Sequence, residues 1–295
     1  MKFLRFKYQS DAALGVVTDH GTVLNLTALL TGAPTNIPEF VALSGDNLHE
    51  VRDLLDNDQG RDNEVPIDAI QWLPPVVPQK NVFCVGRNYR DHIIEGNIAK
   101  GVDPYTFPEA IEFFSKPPTA IVAHGSDVLR HALLTDSLDY EVELAIVMGR
   151  RGRDIPAEQA LDYVFGFTIV NDVTARDLQR RHGQWFKGKG LDTSCPIGPV
   201  VVHRSAISDA NALNLEMLVN GEVRQSDNTR DMLFRVEDVI SQLSAGLTLE
   251  PGDVIATGTP KGVGFAMKPP RCLNSGDIMR ARIEGIGELT NTVVD

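Results

Sequence analysis

The chain after residue 120 is dominated by short apolar runs that are punctuated by glycine and proline. These runs have the length of β-strands, and they include 144–148, 165–170, 199–202 and 253–257. Helical spacing of apolar residues is clear only at 157–163, 174–182 and 232–244. A regular βαβ alternation would place a helix between successive strands, and this pattern does not. The sequence therefore predicts a β-rich α+β fold.

Residues 1–75 have a different pattern, which indicates a small N-terminal α+β domain. Two short strands are predicted around a polar turn at 19–21, and residues 39–57 show helical spacing. A proline cluster at 74–78 is typical of a linker. The main body, residues 76–295, then begins with a short apolar strand at 81–86. A chain of 295 residues is long enough for one large domain with such an appendage.

The charge and the cysteine pattern exclude several classes of function. A formal net charge of -12 argues against a nucleic-acid backbone or an anionic membrane surface as the main partner. No run is long and apolar enough to span a bilayer. The 3 cysteines lie far apart and form no CxxC pair, which predicts reduced thiols in a cytoplasmic protein. An anionic small molecule is still an acceptable substrate, because a bound metal reverses the charge locally.

The segment DYEVEL, residues 139–144, is the sharpest chemical feature. Alternate residues of a strand share a face, so Asp139, Glu141 and Glu143 are expected on one side, opposite Tyr140 and Val142. Three neighbouring carboxylates in a buried sheet repel one another and lose hydration. A divalent cation such as Mg²⁺, Mn²⁺ or Ca²⁺ resolves both problems. A solvated acidic face on an edge strand explains the motif equally well.

A second acidic position, Asp172, follows an apolar strand and precedes a helical pattern. The end of a strand is a usual place for a metal ligand, although an aspartate there often only caps a helix. Arg176 and Gln179 are three residues apart and share a face if the helix forms. They can bind a carboxylate and a carbonyl, respectively. An exposed helix without a binding role would carry the same polar residues at the same spacing.

The glycine-rich segment at 183–192 resembles a phosphate-binding loop but does not match it. Gly190 stands where that loop needs Ser or Thr, bulky Trp185 and Phe186 lie inside it, and no apolar strand precedes it. Nucleotide binding is therefore rejected. Lys189 lies between two glycines, which allow a close approach to a ligand. A surface lysine in a glycine turn is the plainer interpretation.

Two further segments carry candidate residues. His92 and Glu95 lie three apart on a predicted short helix, where the carboxylate can fix the imidazole tautomer and the pair can activate water. Such pairs are also common by chance. The polar stretch that follows, to residue 112, is a candidate lid.

The turn at 256–264 contains Thr259 and can offer backbone amides to a carboxylate. A tight β-turn without any binding role would have the same sequence pattern.

The order of these segments resembles the fumarylacetoacetate hydrolase family. The resemblance covers roughly residues 76–295 and rests on the stretches VGRNYRDH (85–92), DYEVEL (139–144), VNDVTARDLQ (170–179), KGKGLDTSCPIGP (187–199), VNGEVRQ (219–225) and TGTPKGVG (257–264). The chain is most similar in pattern to bacterial members of the oxaloacetate decarboxylase-like, acylpyruvate hydrolase and hydroxymuconate isomerase types, the last from aromatic compound catabolism. Gly190 departs from the Ser that many members carry, and residues 96–112 are longer than in some relatives.

The resemblance implies a mixed-sheet roll, a homodimer and one Mg²⁺ or Mn²⁺ per subunit, with Ca²⁺ as a further candidate. The residue roles that it implies are metal binding by Glu141, Glu143 and Asp172, catalysis by His92, Glu95 and Lys189, and substrate binding by Arg176, Gln179, Lys189 and Thr259. Asp139 is then expected to support the site without binding the metal.

The reaction expected first is metal-dependent C–C bond hydrolysis of an acylpyruvate or fumarylpyruvate through an enolate. The alternative is decarboxylation or tautomerisation of oxaloacetate or a related oxo-diacid, or isomerisation of a 2-hydroxymuconate-type compound. All of these substrates are small 2-oxo acids or diketo acids. A third hypothesis is a metal-stabilised binding protein without turnover, which predicts that His92→Ala changes no activity.

Overall fold

A computed structural model of the protein describes residues 1–8, 11–44, 48–57 and 60–295, without the side chain of Ser44. The strands of the described chain are β1 Lys2–Tyr8, β2 Asp11–Val17, β3 Thr22–Asn25, β4 Glu64–Pro66, β5 Gln71–Leu73, β6 Val82–Gly86, β7 Glu112–Lys116, β8 Ile121–Val122, β9 Asp127–Leu129, β10 Leu138–Asp139, β11 Val142–Met148, β12 Val164–Asn171, β13 Thr174–Ala175, β14 Cys195–His203, β15 Asn214–Val219, β16 Glu222–Asn228, β17 Val254–Ala256, β18 Ile278–Ile283 and β19 Gly287–Val294.

Helices are short and lie between these strands. The α-helices are α1 Leu26–Leu29, α2 Ile37–Ser44, α3 His49–Asp56, α4 Arg90–Lys100, α5 Arg176–Arg181, α6 Phe186–Lys189 and α7 Val236–Ser244. The 3₁₀ helices are Arg61–Asn63, Ile67–Ala69, Pro118–Ala120, Ala157–Tyr163, Arg204–Ala206, Thr229–Asp231 and Gly264–Ala266. No helix in the described ranges is long and apolar enough to cross a membrane.

The strands form a large mixed sheet and two smaller sheets. The order of the large sheet is β4-β3-β2-β1-β14-β12-β11-β17-β6-β7, with β5 beside β1 and β8 beside β14. A second sheet has the order β16-β15-β18-β19-β9, and β10 and β13 form a two-stranded sheet. Most pairs are antiparallel, but β17 runs parallel to β6. The predicted β-rich α+β fold with mixed sheets is therefore confirmed.

The N-terminal strands extend the large sheet. β1 pairs antiparallel with β14 through Lys2 and Phe3, so the segment before residue 76 shares its hydrogen-bonded sheet with the main body. The predicted turn at 19–21 lies between β2 and β3, and the helical spacing at 39–57 corresponds to α2 and α3, with residues 45–47 outside the described part of the chain. The division into domains at residues 75 and 76 stays a prediction.

Strands β11 and β12 lie in the middle of the large sheet, and every residue of both is buried. Leu144 and Ile146 of β11 pack into one hydrophobic core, whereas Ala145 and Val147 pack into a second core on the opposite face. A strand that is buried on both faces has a continuous apolar sequence, as 144–148 does. This central position makes any charged side chain on β11 a buried one.

Candidate functional site

Three carboxylates meet where β11 begins and β12 ends. The two strands are antiparallel, with Val142 opposite Asn171, so Glu141 and Asp172 lie just outside the paired segment. The amide of Asp172 donates to the carbonyl of Glu141 at 2.8 Å, and the amide of Glu141 donates to the Asn171 side chain at 3.0 Å. These bonds hold the two acidic residues side by side. Glu143 lies two residues further along the chain, on β11, and its carboxylate lies close to those of Glu141 and Asp172.

The three carboxylates form a compact buried group. Glu141, Glu143 and Asp172 are 4%, 1% and 0% exposed, and each offers an oxygen such that the three oxygens lie within 4.8 Å of one another. Because β11 lies between β12 and β17, the interpretation as a solvated edge strand is wrong. The capping interpretation of Asp172 is also wrong, since α5 begins at Arg176 and Ala175 precedes it without a side-chain cap.

Asp139 is not on β11, the strand that carries Glu143, which corrects the expectation that one strand face holds Asp139, Glu141 and Glu143. It belongs to β10, and the chain leaves strand geometry at Tyr140 and Glu141 before β11 starts. Its carboxylate accepts hydrogen bonds from Arg176 Nε at 2.9 Å and from the amides of Gly264 and Phe265 at 2.8 and 3.1 Å. Asp139 therefore holds an arginine and a loop beside the carboxylate group.

Lys189 lies on a helical turn, not in the glycine turn that its neighbours suggest. It ends the short helix α6 and is 3% exposed. A Cβ on Gly188 would lie 2.5 Å from the backbone nitrogen of Gln179, so the glycine allows α6 to pack directly against α5. The ammonium lies 2.8 Å from Glu141 Oε2 and 2.6 Å from Asp172 Oδ2. The interpretation as a surface lysine is therefore wrong.

A second buried lysine, Lys116, was not found from the sequence. It ends β7 and is 0% exposed, and its ammonium donates to Asp172 Oδ1 at 2.7 Å. It also donates to the backbone carbonyls of Val173 and Lys189. Its one sequence signal is its position after a short aromatic strand and before two prolines, which does not distinguish it from an exposed lysine.

The electrostatics of the two glutamates differ because their partners differ. Burial raises the pKa of Glu141, but the positive charges of Arg176 and Lys189 outweigh it and lower the pKa to about 2. Burial also raises the pKa of Glu143, and the negative charges of Asp172 and Glu141 raise it further. Glu143 accepts a hydrogen bond from the amide of Gly258 at 2.8 Å. Within the described ranges, no lysine, arginine or histidine forms an ion pair with it.

The chemistry of this group suits a divalent cation. Three carboxylates, Asp139, Glu141 and Asp172, form one ion-pair network with three cations, Lys116, Arg176 and Lys189. The carboxylate of Glu143 lies beside this network. One carboxylate is thus in excess, and Glu143 is the member without an ion-pair partner among the described residues. Carboxylate oxygens are preferred ligands of Mg²⁺ and Mn²⁺. A divalent ion would neutralise Glu143 and make the site positive overall.

The predicted pair of His92 and Glu95 is formed. The Nδ1 atom of His92 lies 2.9 Å from Glu95 Oε1, and both residues lie on α4. The amide of Gly262 donates to both oxygens of Glu95, at 3.0 and 2.9 Å. The turn at 256–264 was expected to offer backbone amides to a carboxylate, and its Gly258, Gly262 and Gly264 amides donate to carboxylates of the protein itself. The turn thus fixes acidic residues around the site.

The predicted substrate-binding residues line the same cavity, and two of them, Arg176 and Thr259, already bind other residues of the protein. Arg176 is committed to Asp139 and lies 2.6 Å from Glu141 Oε1, and its guanidinium stacks on the ring of Phe265 at 4.6 Å. The hydroxyl of Thr259 donates to the Val142 carbonyl at 3.0 Å and accepts from Gln225. Substrate contact by these residues and by Gln179 stays a prediction.

The cavity has a volume of about 510 Å³ and opens between α4 and α5. Its inner end carries Glu141, Glu143 and Lys189, and His92 also lines it. Its further lining residues include four that sequence reasoning did not single out as ligands: Lys100, Phe114, Arg180 and Trp185. The rings of Phe114 and Trp185 meet edge to face at 5.3 Å and form an aromatic wall.

Comparisons with known proteins show which family and which proteins the chain resembles. The sequence profile of the fumarylacetoacetate hydrolase C-terminal family matches residues 81–294. Oxaloacetate tautomerase YisK of Bacillus subtilis is 41% identical over 305 aligned positions, covering 99% of this chain and 100% of that protein. Among solved structures, a fumarylacetoacetate hydrolase from Exiguobacterium antarcticum matches with a TM-score of 0.85 and 42% identity, covering 100% of this chain and 99% of that one. A 5-carboxymethyl-2-hydroxymuconate delta-isomerase from Mycobacterium smegmatis matches with a TM-score of 0.76 and 33% identity, at 100% and 99% coverage.

Proposed function

Because the chain belongs to the fumarylacetoacetate hydrolase family of enzymes, we propose that it catalyses the tautomerisation of oxaloacetate or a closely related 2-oxo diacid. The observation that carries the proposal is the position of the His92–Glu95 pair in one cavity with the buried Glu141, Glu143 and Asp172. Such a site joins a proton-transfer group to the ligands of a divalent cation, and the family is typically dependent on such ions.

The cation would be held by Glu141, Glu143 and Asp172. When bound, it supplies Lewis acid chemistry that favours the enolate of a 2-oxo acid. The charge balance described above supports Mg²⁺ or Mn²⁺ at this position, one per chain.

The chain's own residues divide the remaining work. His92 moves a proton to or from the carbon next to the 2-oxo group, and Glu95 holds the imidazole in one tautomer through Nδ1. Glu95 is itself held by the Gly262 amide, so the pair is fixed before substrate binds. Lys189, at the inner end of the cavity, donates a hydrogen bond to the oxygen that gains negative charge. The aromatic wall of Phe114 and Trp185 excludes water from this end.

Tautomerisation is preferred over acylpyruvate hydrolysis, the reaction expected first from the sequence. Two of the similar proteins are named a tautomerase and a delta-isomerase, and both of those names describe proton shifts without the addition of water. The same site chemistry would support loss of CO₂ from an oxo-diacid, since that reaction also leaves an enolate, in this case the enolate of the 2-oxo acid that is one carbon shorter.

The test compares products from one enzyme preparation. Purified protein with Mg²⁺ or Mn²⁺ is mixed with the enol form of oxaloacetate, and loss of enol absorbance is followed beside pyruvate release, with metal-only samples as background. Acetylpyruvate is offered in parallel, and acetate is measured. We expect the enol form to be lost well above background with little pyruvate release. Hydrolysis of acetylpyruvate without any effect on enol-oxaloacetate would contradict the proposal.

Two expectations from the sequence stay proposals. The homodimer is tested by light scattering of the purified protein, which should give twice the mass of the chain. The cytoplasmic location is tested by cell fractionation.

A further inference from the structure

Two cationic side chains stand at the outer end of the cavity, away from the carboxylate group. Arg180 lies on α5 and Lys100 ends α4, and both line the cavity. Neither side chain has an ion pair or hydrogen bond to another described residue, in contrast to Lys116, Arg176 and Lys189 at the inner end. Two cations without such partners beside a cavity favour the binding of an anionic ligand.

The position of Arg180 follows from its helix. Arg180 is four residues beyond Arg176, so the two side chains share a face of α5. Four residues of α-helix advance about 6 Å along the axis. Arg176 contacts Glu141 at the inner end, and Arg180 therefore stands one turn further toward the solvent. A 2-oxo acid bound beside Glu141, Glu143 and Asp172 would extend toward Arg180.

Lys100 reaches the same place from the opposite wall. His92, Gly96 and Lys100 are spaced by four residues and share a face of α4. A Cβ on Gly96 would meet no atom within 4 Å, so the space between His92 and Lys100 is open. The helix that carries the proton-transfer group thus also carries a cation two turns away.

The mouth of the cavity is electropositive. Partial burial lowers the pKa of Lys100, and the nearby positive charges of Arg87, Arg176 and Arg180 lower it further, while Glu112 raises it. The carboxylate of Glu112 is bound by Arg87 at 3.1 Å, which leaves the charges of Lys100 and Arg180 uncompensated.

We propose that Lys100 and Arg180 bind the second carboxylate of the substrate and thereby select diacids over monoacids. This inference rests on the proposed function, because it places the 2-oxo acid end of the substrate beside Glu141, Glu143 and Asp172. The terminal carbons of an extended four-carbon diacid are roughly 4 Å apart by standard bond lengths. The flexible side chains of Arg180 and Lys100 span the remaining distance. The second carboxylate would then connect α4 to α5 and hold His92 over the substrate.

Binding, independent of turnover, tests the selection. Malate and lactate are both 2-hydroxy acids and differ by one carboxylate, so calorimetric titration of each into the Mg²⁺-loaded protein isolates the contribution of that group. We expect malate to bind at least tenfold more tightly than lactate. The single variants Lys100→Gln and Arg180→Gln should each reduce this ratio several-fold, and the double variant should bring it near one. Added salt should also reduce the ratio, because exposed charges are screened.

Matched controls separate this effect from general loss of charge. Arg181→Gln removes an exposed cation next to Arg180 that does not line the cavity, and Lys187→Gln does the same on α6. Both should keep the wild-type ratio, as should the charge-preserving Lys100→Arg and Arg180→Lys. The lactate affinity should stay unchanged in every variant, which shows that the inner end is intact.

The outcomes distinguish this proposal from the proposed function. A wild-type ratio near one, or a ratio that survives in the double variant, would overturn the role of Lys100 and Arg180 even if oxaloacetate is turned over. A preference for malate over lactate that is high in wild type and lost in the double variant would support binding of the second carboxylate by Lys100 and Arg180. If such a protein did not act on oxaloacetate, the proposed function alone would fall, and the diacid site would stand.

Discussion

The ammonium of Lys116 lies 2.7 Å from Oδ1 of Asp172, and both side chains are 0% exposed. Lys189 binds the other oxygen of the same carboxylate at 2.6 Å. Asp172 is therefore held by two lysines from two different segments, β7 and α6. These two contacts fix the orientation of the carboxylate.

Removal of Lys116 should destabilise the protein. Lys116→Met leaves a buried carboxylate with one cation fewer, and loss of one member of a buried ion pair costs roughly 3–5 kcal/mol. Urea unfolding without metal should therefore show a lower free energy of unfolding than wild type, and Mg²⁺ should recover part of the loss. Lys187→Met, at an exposed position of α6, serves as the control and should be close to wild type. Equal stability of the two variants would contradict the structural role of Lys116.

Glu143→Gln should separate stability from metal binding. Neutral glutamine removes the repulsion from Asp172 and Glu141, so the metal-free protein should be more stable to urea than wild type. The gain in stability on addition of Mg²⁺ should be lost, because glutamine supplies a weaker ligand. Urea unfolding with and without Mg²⁺ measures both effects. A variant that Mg²⁺ still stabilises as strongly as wild type would remove Glu143 from the ligands.

His92→Asn should reduce turnover without loss of metal. A positioned general acid or base typically contributes about 10²–10⁴-fold, so kcat on enol-oxaloacetate should fall within that range. Mn²⁺ binding should persist, because His92 is outside the carboxylate group. Glu95→Gln should have a smaller effect, since the imidazole is retained and only its orientation is weakened. Unchanged kcat in His92→Asn would show that His92 is not the proton-transfer group.

His124 should make the protein less stable in mild acid. Burial lowers the pKa of His124, although Glu288 raises it, and its Nδ1 accepts from the Thr290 amide at 3.1 Å. The unfolded chain, with a histidine pKa of about 6.5, binds the proton more readily. The contribution of His124 is thus complete above pH 6.5 and is lost as the pH falls below it. His124→Asn keeps the acceptor without the charge, so its midpoint of urea unfolding should change less than that of wild type between pH 7.5 and pH 5.5. Identical changes in both proteins would show that His124 is not responsible.

The local periodicity of the sequence was sufficient to predict part of the site. Spacing by two residues placed Glu141 and Glu143 on one face, and the apolar run before Asp172 placed it at a strand end. Those predictions depend only on the alternation of side chains along a strand. Asp139 obeys the same spacing but lies in a separate pair of strands, because the chain changes partner at Tyr140 and Glu141.

Local sequence patterns could not predict the contacts between distant segments. Lys116 meets Asp172 across 56 residues of sequence, and nothing in its own neighbours shows the carboxylate that it will bind. The glycines beside Lys189 suggested a flexible turn, but Gly188 is needed for close packing of α6 on α5. In both cases the register of the sheet and the packing of helices decide the role of the residue.

The most direct test of the account measures activity and bound metal in the same samples. Metal-free protein is titrated with Mn²⁺, free Mn²⁺ is followed by electron paramagnetic resonance, and the loss of enol-oxaloacetate is recorded at each point after subtraction of the metal-only rate. We predict that the rate rises in proportion to bound Mn²⁺ and reaches its maximum at one ion per chain. Full activity in the metal-free protein would contradict the assignment of Glu141, Glu143 and Asp172 as the ligands of a required cation.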